Sequence, residues 1–253
     1  MQSLDRTLSI LRALAAAGNA RMRLTDIARA SGLSKATATR LLAAMAGERL
    51  VEMHDDGKSW RLGPELVYLG LSAARHVSLA RLAWPHLEWL AAETGDTCYL
   101  TMRSGDDSVC VERALGPYPI QAVTIDVGSR RPLGTGAGSL ALLAALPQAE
   151  AEEIITRNEP RLEGYLNATS AMLREAVRTA QGRGHAYTES HLVGGVNAVG
   201  VAVLAPSGLP VAAVSIAAIA QRFVDGRTGM LVGKLREAAQ RIGAEILGKG
   251  GPA

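Results

Sequence analysis

The sequence predicts two folded units of different class: an N-terminal winged helix-turn-helix, mostly α with a β-hairpin wing, joined by a linker helix to a larger C-terminal α+β domain. Three observations predict it. Residues 24–42 carry the small residue, turn glycine and apolar stripe that two tightly crossed helices require. Two alternating runs flank Asp55-Asp56-Gly57-Lys58, a hairpin signal because such a turn needs positive φ. Beyond Gly63-Pro64, strand-like and helical stretches follow one another irregularly, the pattern of an α+β domain. The 253 residues suffice for two units, each with its own core.

The elements follow in order. Leu4, Leu8, Leu11 and Leu14 mark one stripe of a first helix, ended by Gly18-Asn19. A short helix follows Thr25, and another runs from Ser34 to about Glu48. Residues 50–53 and 59–62 form the wing. Pro64 suits the first position of a linker helix reaching about His76. The boundaries are therefore 1–63 for the winged helix-turn-helix, 64–77 for the linker and 78–250 for the second domain. The latter opens with a helix from about Ser78 to Thr94-Gly95, which Pro85 should bend or effectively start. Strands are expected at 97–103, 108–114 and 119–125. A glycine-rich loop at 134–138 leads into a helix at 139–146, and further helices span 148–158 and 168–182. Strands at 186–190, 198–205 and 211–217 precede a final helix at 226–247.

Charge is unevenly shared. The net charge is +3, yet residues 1–63 hold ten Lys and Arg against six Asp and Glu, a balance of +4. The remainder is close to neutral, so an acidic partner such as nucleic acid is expected at the N-terminal end. No stretch reaches the ~18 apolar residues of a membrane span. Met1–Ala17 reads as an amphipathic helix rather than a signal peptide. The two cysteines, Cys98 and Cys110, read as buried thiols of a cytoplasmic protein, although a disulfide between adjacent strands stays open. The scattered histidines have no metal-ligand spacing, so no metal or cofactor is expected.

In the helix-turn-helix, Ala28 permits close approach, Gly32 the turn, and Ala38, Leu41, Leu42 and Met45 form the buried stripe. That stripe leaves Ala36, Thr39, Arg40 and Ala43 facing outward. Arg40 can read guanine, and the Ala36 and Thr39 methyls can meet thymine in a major groove. Ser34, Lys35 and Thr37, near the helix start, suit phosphates. Lys58 and Arg61 on the wing would meet backbone or minor groove.

These residues resemble the IclR family of bacterial regulators, in Leu24-Thr-Asp-Ile-Ala…Gly32-Leu-Ser-Lys-Ala-Thr…Arg40-Leu-Leu and Trp60-Arg-Leu-Gly63. The resemblance continues through Pro85-His-Leu-Glu-Trp, Val127-Gly-Ser-Arg-Arg-Pro-Leu-Gly-Thr-Gly-Ala-Gly138, Gly184-His-Ala-Tyr-Thr-Glu-Ser190 and Gly195-Val-Asn-Ala-Val199. It implies a GAF-like effector domain, assembly as a homodimer or homotetramer, double-stranded operator DNA as partner and a small organic acid as effector. Carried over, the effector wall would comprise Pro119, Ala122, Gly136, Ala137, Thr188, Val196, Ala198, Ser215 and Ala217. Thr188, Ala198 and Ala217 stand where small-acid binders of the family carry more polar groups. A less polar, wider pocket is therefore expected, suited to an aromatic acid.

The loop at 134–138 fits a ligand carboxylate better than a nucleotide, since GxGxG is not GxGxxG and no GK[ST] follows. Arg130 and Arg131 are candidates to assist that carboxylate. The alternative reading is an enzyme acting on a small acid, with an accessory DNA-binding domain. Ser139, Ser190 and Ser215 lack a GxSxG setting, and His185, Glu189 and His191 form no evident acid–base set, so no catalytic residue is assigned.

Overall fold

The computed structural model describes residues 2–17, 21–74, 79–162, 165, 169–189, 194–205, 207–224 and 226–248. Gly18-Asn19, His76, Ser78, Ser190 and His191 of the expectations above lie outside them. The chain divides between Ser78 and Leu79 into two compact units.

The first unit runs α1 (Gln2–Ala16), β1 (Met22–Arg23), α2 (Leu24–Ala30), α3 (Lys35–Gly47), β2 (Val51–Met53), β3 (Ser59–Leu62) and α4 (Glu65–Ala74). Ile10, Leu14, Ile27, Leu42, Met45 and Val51 form its core. Only the second half of α1 reaches that core, so Leu4 and Leu8 of the expected stripe remain exposed. Gly32 takes φ +67° in the α2–α3 turn, as a turn of this shape requires. Ser34 caps α3 by accepting a hydrogen bond from the Thr37 amide at 3.2 Å.

The wing's turn is built around Asp56. Its carboxylate accepts from the amides of Lys58 and Ser59, both at 2.9 Å, and from the Ser59 hydroxyl at 2.7 Å. These donors hold the Asp56 carboxyl well below the usual carboxylate range. The sheet has a third strand that sequence periodicity misses: β1 pairs with β3, Met22 opposite Trp60, and two residues show no period.

The second unit runs α5 (Leu79–Thr94), β4 (Thr97–Ser104), β5 (Asp107–Ala114), β6 (Arg130–Pro132), α6 (Ala137–Ala144), α7 (Gln148–Leu162), α8 (Ser170–Arg183), β7 (Ala186–Glu189), β8 (Val196–Leu204), β9 (Pro210–Ile219), a 3-10 turn at Ala220–Arg222 and α9 (Arg227–Gly248). Pro85 lies inside α5 rather than at its start. The strands form one antiparallel sheet in the order β6-β5-β4-β9-β8-β7. One face packs on α5 and α9 through Leu87, Leu90, Leu100, Val214, Ile216 and Leu235. The other carries α6, backed by α7 and α8 through Leu143, Ile154 and Leu173.

Residues 119–125, expected as a strand, are irregular instead. Pro119 has no N–H for a ladder, and side chains satisfy this backbone. Gln121 donates to the carbonyls of Gly95, Gly116 and Tyr118. The Tyr99 hydroxyl donates to the Ala122 carbonyl at 2.7 Å and accepts from the Thr124 amide at 3.0 Å. The sheet's edge is β6 instead, with Ser108 opposite Arg131.

At the junction of α5 and β4, Asp96 is buried and held by two arginines, Arg222 at 2.6 Å and Arg227 at 2.5 Å. Arg222 also stacks on the Tyr118 ring, 3.7 Å from its centre. Cys98 and Cys110 are both free. They sit opposite Ala114 and Thr101, not each other, which disposes of the cross-strand disulfide. Among the described residues, no helix is long and apolar enough to cross a membrane.

Candidate DNA-binding surface and ligand cavity

The packing of α3 decides what it presents. Ala38, Leu41, Leu42 and Met45 are buried, which turns Lys35, Ala36, Thr39, Arg40 and Ala43 outward. Thr39 donates its hydroxyl to the Lys35 carbonyl at 2.8 Å, so its methyl is the group free for an apolar contact. The hydroxyls of Ser34 and Thr37 lie 2.9 Å apart within the cap. Among the described residues, no ion pair or hydrogen bond engages the side chains of Lys35, Arg40 or Lys58. Arg61 differs: it meets Glu52 at 2.6 Å, its opposite neighbour in the β2–β3 register. The wing thus offers one unpaired cation and one already neutralised. The pair Glu52–Arg61 was legible in the hairpin register.

In the second unit, the cavity lies on the sheet face beneath the start of α6. Gly136, at φ +90°, turns the chain into α6 without a side-chain cap, so the first-turn amides have no intrahelical acceptor. Two glycines let this helix start touch the sheet. A Cβ on Gly200 would lie 2.5 Å from the Ala137 carbonyl oxygen, and one on Gly138 only 3.0 Å from Ser215 Oγ. The resulting cavity measures about 60 Å³.

Of the nine wall positions expected, Gly136, Ala137, Thr188, Val196, Ala198, Ser215 and Ala217 line this cavity. Pro119 and Ala122 do not: Pro119 is exposed, and Ala122 is buried behind the wall with its carbonyl engaged by Tyr99. The same loop contributes Thr124 and Ile125 in their place. More of the lining surface is apolar than polar, yet the wall carries further hydrogen-bonding groups beyond those nine positions. Thr101, Ser108, Thr124, Thr135 and Ser139 add hydroxyls, and Arg131 adds a guanidinium. Thr101, Ser108, Thr124 and Arg131 come from β4, β5, the 115–129 loop and β6, whose convergence only the sheet order reveals, and Thr135 and Ser139 from the turn into α6 and from α6 itself. Arg131 lines the cavity while Arg130, on the opposite face of β6, pairs with Asp107 at 3.3 Å.

The lining holds no carboxylate, imidazole or thiol. Cys110 lies beside it, where burial pushes the thiol up to about 11; burial likewise pushes Cys98 up to about 12. Both therefore stay protonated and poorly nucleophilic at neutral pH. The arrangement presents hydroxyl groups and the positive charge of Arg131 to the cavity.

A winged helix-turn-helix in one chain with a cavity-bearing α+β domain defines a one-component transcriptional regulator. The model of the IclR helix-turn-helix domain matches residues 3–55, and that of the bacterial transcriptional regulator IclR C-terminal domain matches residues 71–244. The chain belongs to the IclR family of bacterial transcriptional regulators. An HTH-type transcriptional regulator of Mycobacterium tuberculosis is 30% identical over 245 residues, covering 96% of this chain and 92% of that protein. The glycerol operon regulatory protein of Streptomyces griseus is 29% identical, covering 97% and 96%. Among solved structures, an IclR homologue from Microbacterium hydrocarbonoxydans complexed with 4-hydroxybenzoate shares the fold with a TM-score of 0.76. It is 23% identical, with 97% of this chain and 99% of that one covered.

Proposed function

We propose that this regulator binds operator DNA in the cytoplasm as a homodimer or homotetramer and is switched by a small organic acid held in the cavity beneath α6. The observation that carries the sensing half is a lining of hydroxyls, helix-start amides and one guanidinium, with no carboxylate among them. Such a site favours a carboxylate, because both the helix start and the guanidinium prefer negative charge. A volume of about 60 Å³ is small beside the ~150 Å³ of a cavity that takes benzene, which favours a compact acid over the aromatic one.

On the DNA side, the reading assigns the major groove to Ala36, Thr39 and Arg40, phosphates to Ser34, Lys35 and Thr37, and the flanking backbone to Lys58 and Arg61. In a two-fold assembly, the two α3 helices meet half-sites about 34–36 Å apart. Acid binding acts by favouring one arrangement of these helices.

The test is a gel-shift series on the promoter upstream of the gene, with glyoxylate, pyruvate, small diacids and 4-hydroxybenzoate added in turn. One acid should change operator affinity by about 5–150-fold, the usual span of allosteric coupling. Operator binding that none of them alters would refute the sensing half. Failure to bind the promoter at all would refute the DNA-binding half.

A further inference from the structure

Resting on the reading of this cavity as an acid site, we propose that its ligand carries two separated anionic ends, with Arg131 taking the second. The ligand class is a compact dicarboxylic acid of three or four carbons. Two independent groups of donors face the cavity, and they reach it from different parts of the sheet.

The first group sits at the start of α6. Ser215 is only 7% exposed, lines the cavity, and its hydroxyl has no protein partner among the described residues. It lies against Gly138, beside Thr101. A buried hydroxyl left unpaired in a polar site is costly unless a ligand or water answers it.

The second group is Arg131. It comes from β6 at the sheet's edge, across β5 from the strand that carries Thr101, so the two strands are about 10 Å apart. The half-buried guanidinium donates to the Thr124 carbonyl at 2.5 Å, one bond for five donors. Other arginines of this unit do meet carboxylates: Arg103 pairs with Glu150, Arg113 with Asp126, and Arg130 and Arg161 share Asp107. Among the described residues, Arg131 meets no carboxylate. A ligand with one carboxylate answers one donor group and leaves the other unpaired, whereas a diacid answers both.

Calorimetry on the full chain tests this with chain-matched acids: succinate against butyrate, and malonate against propionate. The diacid of each pair should bind at least tenfold more tightly. Arg131→Gln should erase the preference, leaving diacid and monoacid alike, while Ser215→Ala should weaken both members of a pair by the same factor. If Arg131→Gln does not fold, Arg131→Lys takes its place and should shrink the preference. Equal binding of monoacid and diacid to the unaltered chain overturns the proposal and leaves the acid site standing. So does a preference that survives substitution of Arg131, or binding of 4-hydroxybenzoate without any diacid. Failure of every acid to bind overturns the acid site itself, and this inference with it.

Discussion

The two candidate surfaces of this chain are built on opposite terms. On α3, the groups that would read DNA are exposed: among the described residues, the side chains of Lys35 and Arg40 make no ion pair or hydrogen bond. Around the cavity, the reverse holds. Gly138 and Gly200 set the approach of α6 to the sheet, Tyr99 ties the sheet to the loop that closes the cavity, and Ser215 is buried. In the first unit, recognition and stability are separable. In the second they share the same atoms.

Substitutions can break or sharpen that contrast. The largest effect is expected from Asp96→Ala, which strands Arg222 and Arg227 beside a carbonyl-lined junction. Removing one partner of a buried ion group costs about 3–5 kcal/mol, and urea unfolding of the second unit should show it. A loss under 1 kcal/mol would mean that water replaces the carboxylate there.

Gly200→Ala should cost about 1–3 kcal/mol and remove acid binding together with it, because the new methyl meets the Ala137 carbonyl at 2.5 Å. Acid binding that survives with lowered stability would break the claimed union of site and scaffold. Arg40→Ala should weaken operator binding by about 1–3 kcal/mol while the unfolding midpoint stays put. A shifted midpoint would show that α3 is less independent of its core than its exposure indicates.

Glu52→Gln should produce a smaller change in the opposite sense. It frees Arg61 on the wing, so operator affinity should rise and its salt dependence should steepen by up to about one counterion.

Titration gives the finest contrast, because the two units should weaken at opposite ends of the pH scale. The lowered carboxyl of Asp56 supports the wing above the ordinary carboxylate range, and that support fades as pH falls through it and below. The amide resonances of Lys58 and Ser59 should report the loosening. Cys98 and Cys110 have raised thiols, so their contribution is complete below the unfolded value near about 8.5. It declines as pH rises toward about 11 for Cys110 and about 12 for Cys98. Melting of the second unit should therefore fall above pH ~9, and both thiols should resist thiol reagents until it unfolds.

Much of the first unit was legible in the sequence because its signals are local. Ala28, Gly32 and the Ala38–Met45 stripe lie within two helical stretches, and Asp56-Gly57 marks its own turn. The exceptions follow the same logic. The strand at Met22–Arg23 is too short to show a period, and Leu4 and Leu8 satisfy a helical stripe without having anything to pack on.

Beyond the glycine-rich loop at 134–138 and Arg131, the cavity was legible only where family resemblance supplied positions. Thr101, Ser108, Thr124 and Arg131 come from four segments that carry no common motif. Residues 119–125 misled because Ile120, Ala122 and Thr124 alternate like a strand, while Gln121 and Tyr99, distant or unremarked in sequence, satisfy the backbone instead.

By itself, the sequence determined the winged helix-turn-helix, its outward face of Ala36, Thr39 and Arg40, and the α+β class of the second domain. Turn glycines, caps and helical periodicity act over a few residues and need no distant partner. The tertiary structure alone decided that Arg131 faces inward while Arg130 is neutralised outside, that Ser215 has no protein partner among the described residues, and that hydroxyls from distant strands line the cavity. Those facts depend on strand order and register, which join residues more than a hundred positions apart, Tyr99 to Ser215 among them.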